Sequence, residues 1–284
     1  SAALLLAGQL LYIVITQFHA DGVANDHPSV FAEYAGSGIW TAVHIGQFVA
    51  TAILLAGLFA LFFVLDVEDG PAMWSGRFAA ALTAVTLALY GLVMAVDGGA
   101  PKQALDGWVS SPDTEKAARF ASAEAIRWIE WGARSYENFT LGAALLLFAA
   151  AVVRTAWIPG PIAYLMGLSG LTYLFQGWVA GADGFTRTHD VAIVASWVVN
   201  LVWMSPLGCA CCCSRHLIVM VGVSARGVAG APAVCGRSPP GRGLSHRFGE
   251  CAARAPATRP VGLRRPRPAG RGVGLPTHLR APRP

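Results

Sequence analysis

The chain carries little charge and, over its first 208 residues, no cysteine. Only 13% of its 284 residues are charged, whereas 55% are hydrophobic. It also has no P-loop, no glycine-rich dinucleotide fingerprint and no serine-nucleophile elbow, which argues against nucleotide binding and serine-hydrolase chemistry. Several apolar runs approach the roughly 20 residues that cross the hydrocarbon core of a bilayer. The composition therefore predicts an integral membrane protein with the lipid bilayer as a partner.

Charge is divided unevenly at Ser205 and Pro206. Residues 1–205 hold eight basic and fifteen acidic side chains, a difference of −7, whereas residues 206–284 hold thirteen arginines and one acid, Glu250, a difference of +12. The sequence pI of about 9.1 therefore belongs to the tail. All six cysteines lie in that tail and all nine tryptophans precede it. The part before Pro206 needs no disulfide.

Residues 206–284 are predicted to contain the end of the last span and then a tail rich in arginine, proline and glycine. From Ser214 onward the tail has one aromatic residue, Phe248. It can bury little apolar surface, so we expect it to be disordered. Basic tails are typical of tethers to nucleic acid or anionic lipid, but no specific nucleic-acid partner is expected. The abrupt change inside an apolar segment favours another interpretation, a translation out of frame.

The hydropathy pattern predicts an all-α membrane helix bundle in residues 1–205 with about six transmembrane helices. The chain begins at Ser1, inside an apolar run and without an initiator methionine. We therefore expect the natural N-terminus to be missing or processed. The predicted spans are residues 2–18, 39–65, 78–96, 139–157, 162–180 and 191–213.

Polar side chains share one helical face in most of these spans when residues are placed at 100° intervals. Because lipid tails offer no hydrogen bonds, such faces should line the bundle interior. The alternative is that they only supply hydrogen bonds between helices, at about 0.6 kcal/mol each. The side chains expected to line a polar cavity are His19, His44, Gln47, Asp97, Arg127, Glu130, Arg134, Glu137, Gln176, Asp183, His189 and Asn200.

A ladder of alternating charges, "EAIRWIEWGARSYENF" over residues 124–139, precedes the fourth predicted span. Residues 110–113, Ser-Ser-Pro-Asp, carry the signals of a helix start, so the ladder is predicted to lie inside one long helix. Opposite charges three or four residues apart are neighbours on such a helix. The ladder is therefore either the aqueous collar of the fourth membrane helix or one wall of a site. Its members are Glu124, Arg127, Glu130, Arg134 and Glu137.

A divalent metal ion is the one cofactor that the sequence suggests. His19, His44 and His189, with Asp97 or Asp183, supply the nitrogen and oxygen ligands that suit zinc or another transition ion. No HxxxH or HExxH pair supports this assignment, so the metal stays an alternative and no other cofactor is expected.

Four segments carry a resemblance to a known family: "NDHPSVFAEYAGSGIWTAVHIGQF" (25–48), "AVDGGAPKQALDGW" (95–108), "AIRWIEWGARSYENFTLG" (125–142) and "GWVAGADGF" (177–185). Together they resemble a family of multi-pass bacterial membrane proteins of unknown function. The resemblance covers most of residues 1–204 and none of the tail. It implies a helical protein of the bacterial inner membrane and transfers no catalytic residue.

Three function classes fit these patterns. The first is binding or transport of a small polar solute through the polar bundle interior, using His19, His44, Asp97, Glu130 and His189. The second is a membrane-embedded, metal-dependent hydrolase acting on a lipid or amphiphile, with the same histidines as ligands. The third is a structural membrane protein whose polar faces only hold helices together.

Overall fold

A computed structural model describes residues 1–20, 22, 25–67 and 69–228, with side chains as far as Leu207. Within these residues the chain is all-helical and has no strand, as the sequence predicts. Disorder is predicted from Ser214, but residues 214–228 are helical, and the part of the tail beyond Val228 lies outside the described residues. The helices are α1 (Ala2–Thr16), α2 (His27–Gly36), α3 (Trp40–Leu65), α4 (Gly70–Gly98), α5 (Ala100–Val109), α6 (Asp113–Val152), α7 (Gly160–Asp183) and α8 (Arg187–Val228).

Four helical segments are long and apolar enough to cross a membrane, namely Trp40–Leu65, Gly70–Val109, Asp113–Val152 and Arg187–Leu207. The six predicted spans correspond in position to these four together with α1 and α7. Helix α1 has 15 residues, fewer than the roughly 20 that span the hydrocarbon core. Helix α7 has 24 residues, and glycine, serine, threonine and glutamine lower its hydropathy.

Several helix ends differ from the predicted span ends for local reasons. Helix α4 begins at Gly70 because Pro71 occupies its first turn, where a missing N–H costs nothing. Helix α6 runs unbroken from Asp113, as predicted, but ends at Val152. Residues 153–159 then form turns before Pro161 opens α7. Helix α8 continues to Val228, beyond the predicted end of the last span.

Six of the helices pack in a closed ring. In ring order α1, α3, α4, α6, α7 and α8 each contact the next, and α8 returns to α1. The two short helices are not members of the ring but pack against one end of it: α2 packs on α5, and α5 packs on α4 and α6. The ring therefore encloses an interior, and α2 and α5 cover part of one end.

The surface of the ring is apolar and its interior holds polar side chains. Phe63 is 73% exposed and Trp178 is 67% exposed, whereas Thr83 and Ser169 are fully buried. This distribution is the reverse of that in a water-soluble domain. It is what a bundle surrounded by lipid requires, because polar groups find hydrogen-bond partners only inside.

An apolar cluster closes the end of the ring opposite α2 and α5. Leu5 of α1, Leu58 of α3, Phe148 of α6, Met166 of α7 and Trp203 of α8 are buried in it. Five ring helices thus close this end with large apolar side chains.

Glycines allow a close contact between α6 and α7. A Cβ added to Gly142 would lie 2.7 Å from the carbonyl oxygen of Gly170, and a Cβ on Gly170 would lie 2.7 Å from the carbonyl oxygen of Gly142. Small residues let membrane helices bring their backbones together. The pair fixes the separation between α7 and α6, the helix that carries both buried ion pairs.

Candidate functional site

A cavity of about 300 Å³ occupies the ring interior. It reaches the surface near Asn25 and Asp190, which are exposed, and its floor includes Leu54 and Leu141 of the apolar cluster. Nine of the twelve side chains predicted to line a cavity do so: His19, Gln47, Asp97, Arg127, Glu130, Arg134, Glu137, Gln176 and His189.

The other three predicted residues lie elsewhere. His44 is buried behind Asp97, with Nε2 3.2 Å from a carboxylate oxygen of that residue. Asn200 is buried in a hydrogen-bonded group beside the cavity. Asp183 is exposed, because α7 ends there and the chain turns at Gly184 with a φ of 74°.

The charge ladder forms two ion pairs in the cavity wall. Arg127 Nη1 lies 2.7 Å from Glu130 Oε2, and their side chains are 8% and 1% exposed. Arg134 Nη1 lies 3.8 Å from Glu137 Oε2, with side chains 14% and 4% exposed. Both pairs join residues three apart on α6. Of the two sequence interpretations, this part of the ladder fits a wall of a site.

The first member of the ladder behaves differently. Glu124 accepts no bond from Arg127; its Oε1 lies 2.9 Å from Nδ1 of His27 on α2. Trp128 and Tyr136 point outward from α6 and are 57% and 67% exposed. One helix thus presents charge to the interior and the rings of Trp128 and Tyr136 to the outside, as its 3.6-residue period requires.

Aromatic rings cover both arginines. The Arg127 guanidinium lies 4.6 Å from the ring centre of Phe185 and 5.3 Å from that of Tyr34. It also donates to the Tyr34 hydroxyl at 3.2 Å. Arg134 lies 5.3 Å from the Tyr90 ring centre. Burial raises the pKa of Tyr34, on α2, so its hydroxyl keeps its proton. These contacts hold the guanidinium groups in place within a poorly solvated interior.

Asn200 organises a hydrogen-bonded group at the deep side of the cavity. Its Nδ2 donates to Gln9 Oε1 at 2.9 Å and to the Tyr173 hydroxyl at 3.0 Å. Its Oδ1 accepts from Trp203 Nε1 at 3.3 Å, and that indole also donates to Ser169 at 3.0 Å. These bonds join α1, α7 and α8. For Asn200 the structure therefore favours the alternative that polar groups hold helices together.

Two histidines and one carboxylate meet at the edge of the cavity. His19, His44 and Asp97 each offer one ligand atom, and these atoms lie within 4.8 Å of one another. His189, the third histidine predicted to bind a metal, does not belong to this group; its ring stacks on Phe185 at 5.0 Å. Burial lowers the pKa of His19, which follows α1, and this favours its neutral form.

Several buried polar atoms of the cavity wall have no partner among the described residues. They are Trp131 Nε1, Asn138 Nδ2, both ring nitrogens of His189 and one carboxylate oxygen of Asp97. Folded proteins pair nearly all buried polar groups, so such a concentration is informative. It marks the wall as a surface with unused hydrogen-bonding capacity.

Sequence reasoning did not identify Tyr34, Asn138 and Tyr173 as wall residues. Asn138 follows Arg134 by four residues, and Tyr173 follows Ser169 by four, so helical spacing alone could have added both. Tyr34 has no such signal, since it lies on α2, outside the predicted spans.

The fold and site define a class: an all-helical bundle, with helices able to cross a membrane, around a charged interior cavity. No family model, curated protein or solved structure matches the chain. The family resemblance seen in the sequence stays a prediction.

Proposed function

We propose that the chain is a multi-pass protein of the bacterial inner membrane that binds a small polar solute in its interior cavity, as a binding or transport protein. The observation that carries this proposal is the set of buried polar atoms on the cavity wall that have no partner among the described residues, beside two buried ion pairs. Ligand pockets typically combine apolar walls with a few convergent polar groups. The cavity volume of about 300 Å³ suits a small molecule.

All six ring helices are proposed to cross the membrane. Helices α1 and α7 stand in the ring between helices that are apolar enough to cross. Both contribute residues to the same cavity wall, Gln9 and Gln176 among them. A ring that lacked two of its members within the bilayer would expose these polar groups to lipid, which is unfavourable.

The charges of the wall favour a solute without net charge. Arg127 and Arg134 are each already paired with a glutamate. Beside these two pairs, a singly charged solute would have to displace one partner or remain uncompensated, and either is costly. A neutral or zwitterionic solute can instead satisfy the free donors of Trp131 and Asn138. We therefore propose a small zwitterion or polyol.

Cysteine labelling tests whether the cavity is an accessible polar site. After its six natural cysteines are replaced by serine, the chain receives Asn138→Cys on the wall or Trp178→Cys on the outer surface. The cysteine thiolate attacks the thiosulfonate reagent, forms a mixed disulfide and releases a sulfinate, and this thiolate forms in water rather than in lipid. We expect a small hydrophilic reagent to modify Asn138→Cys at least about tenfold faster than Trp178→Cys.

Protection against the same reagent tests solute binding. Glycine betaine and glycerol are expected to slow the modification of Asn138→Cys more than acetate or tetramethylammonium does at equal concentration. Equal rates for both cysteine variants in the absence of solute would exclude an accessible cavity and favour the purely structural alternative. If the cysteine is labelled but none of the four compounds slows its modification, the cavity is accessible to water and the proposed solute class is contradicted. The hydrolase alternative stays a prediction.

A further inference from the structure

We infer that His19, His44 and Asp97 form a binding site for a divalent transition-metal ion, with an open coordination position facing the cavity. The ligand atoms lie within 4.8 Å of one another. His44 Nε2 and an Asp97 oxygen are already 3.2 Å apart. Two ligands at about 2.0–2.2 Å from a tetrahedral ion are separated by about 3.4 Å. The His44–Asp97 separation is already close to this value, and His19 is the most exposed of the three residues.

Both histidines are oriented as metal ligands usually are. His19 Nδ1 lies 2.6 Å from the carbonyl oxygen of Ala20, and His44 Nδ1 lies 2.8 Å from that of Trp40. A proton on each Nδ1 donates to that carbonyl and leaves the Nε2 lone pair free to bind a cation. Ligating histidines nearly always donate their other nitrogen in this way, which fixes tautomer and ring orientation.

The second observation is an unused buried ligand atom. Asp97 is 4% exposed, and one of its carboxylate oxygens has no hydrogen-bond partner among the described residues. The neighbouring Trp40 indole donates to the main-chain carbonyl of Asp97 at 3.2 Å and not to its carboxylate. That carboxylate oxygen is not the one that lies 3.2 Å from His44. A cation held by both carboxylate oxygens would satisfy it and would offset a buried charge, which is costly to leave without compensation.

Local packing holds the ligands together. A Cβ added to Gly98 would lie 2.8 Å from the Cβ of His44, so only glycine lets α4 bring Asp97 this close to α3. The rings of Trp40 and His44 lie 4.3 Å apart, and those of His19 and His44 lie 5.0 Å apart. The site is therefore supported by neighbouring side chains and is not a chance meeting of mobile groups.

The ligand set indicates the class of ion and its exposure. Two imidazoles and one carboxylate suit zinc, iron(II) or cobalt(II), whereas magnesium and calcium prefer oxygen ligands. Three protein ligands leave at least one position open, as in catalytic rather than structural zinc sites. His19 and Asp97 both line the cavity, so that position faces it. An oxygen or nitrogen donor of a solute can complete the coordination there.

The experiment uses the full chain without a histidine tag, with all six cysteines replaced by serine so that thiols cannot bind the ion. Binding of Zn²⁺ is measured by calorimetry, and that of Co²⁺ by its visible absorption, with Mg²⁺ as competitor. We expect one equivalent of Zn²⁺ or Co²⁺ per chain, undisturbed by excess Mg²⁺. Asp97→Asn and His44→Ala should weaken binding by at least about 100-fold.

His189→Ala is the matched control, because His189 is also buried and lines the same cavity but stands outside the cluster. The affinity of the His189→Ala variant for Zn²⁺ and Co²⁺ should match that of the parent protein. Absence of bound ion in the parent, or an equal loss in His189→Ala, would overturn the inference. If His44→Ala does not fold, the nearly isosteric Asp97→Asn decides the outcome. Labelling of Asn138→Cys is scored separately, so failure of the metal site leaves the solute proposal testable.

Discussion

Replacing Glu130 by alanine is expected to lower the free energy of unfolding by about 3–5 kcal/mol, because it leaves the Arg127 guanidinium buried and unpaired. The two side chains are 1% and 8% exposed and lie 2.7 Å apart. Phe185 and Tyr34 keep the guanidinium in place, so it cannot turn to solvent. Reversible unfolding in mixed detergent micelles measures the change.

Two comparisons isolate the charge effect. Glu124→Ala removes a carboxylate from the same helix, but the pair that this carboxylate forms with His27 is more exposed. The substitution should therefore lower the free energy of unfolding by about 1 kcal/mol or less. The double variant Arg127→Met/Glu130→Leu removes both charges and should be more stable than Glu130→Ala alone. Equal losses for Glu130→Ala and Glu124→Ala would show that the Arg127 pair is not desolvated in the membrane protein.

Replacing Gly142 by alanine is expected to destabilise the bundle by about 1–3 kcal/mol through overpacking. The added Cβ would meet the carbonyl oxygen of Gly170 at 2.7 Å, which forces α6 and α7 apart. Thermal unfolding of the purified protein in detergent measures the loss as a lower melting temperature.

Gly132→Ala provides the control on the same helix, since a Cβ there has nothing within 4 Å. In that position alanine improves helix propensity by up to about 1 kcal/mol, so the melting temperature should stay or rise. If the melting temperature falls by a similar amount in both variants, the effect of Gly142→Ala arises within α6 and not from its contact with α7.

Helical periodicity was enough to find much of the site. The spacing of Arg127, Glu130, Arg134 and Glu137 puts them on one face, and the wall of the cavity contains all four. Their burial and pairing could not be derived from spacing, because they depend on which helix lies opposite. Glu124 shows the difference, since its partner is His27, far away in the sequence.

The predicted metal ligands illustrate a second limit. His19, His44 and His189 all end polar stripes at one end of the bundle, which suggested a common site. Whether such residues meet depends on the relative height and rotation of their helices, set by contacts such as that of Gly98 with His44. The structure brings Asp97 to His19 and His44 and leaves His189 beside Phe185.

The apolar cluster at the far end of the ring closes the cavity on that side. Its floor is closed by large side chains from five helices, and it reaches the surface near Asn25 and Asp190. In vesicles with the protein in one orientation, an impermeant reagent should therefore modify Asn138→Cys from one side of the membrane. Release of a solute to the other side requires helices to part beside Leu5 and Phe148. In a protein that only stores or senses the solute, the reagent should reach the cysteine from one side of the membrane at all times. In a transporter, it should reach the cysteine from both sides during turnover.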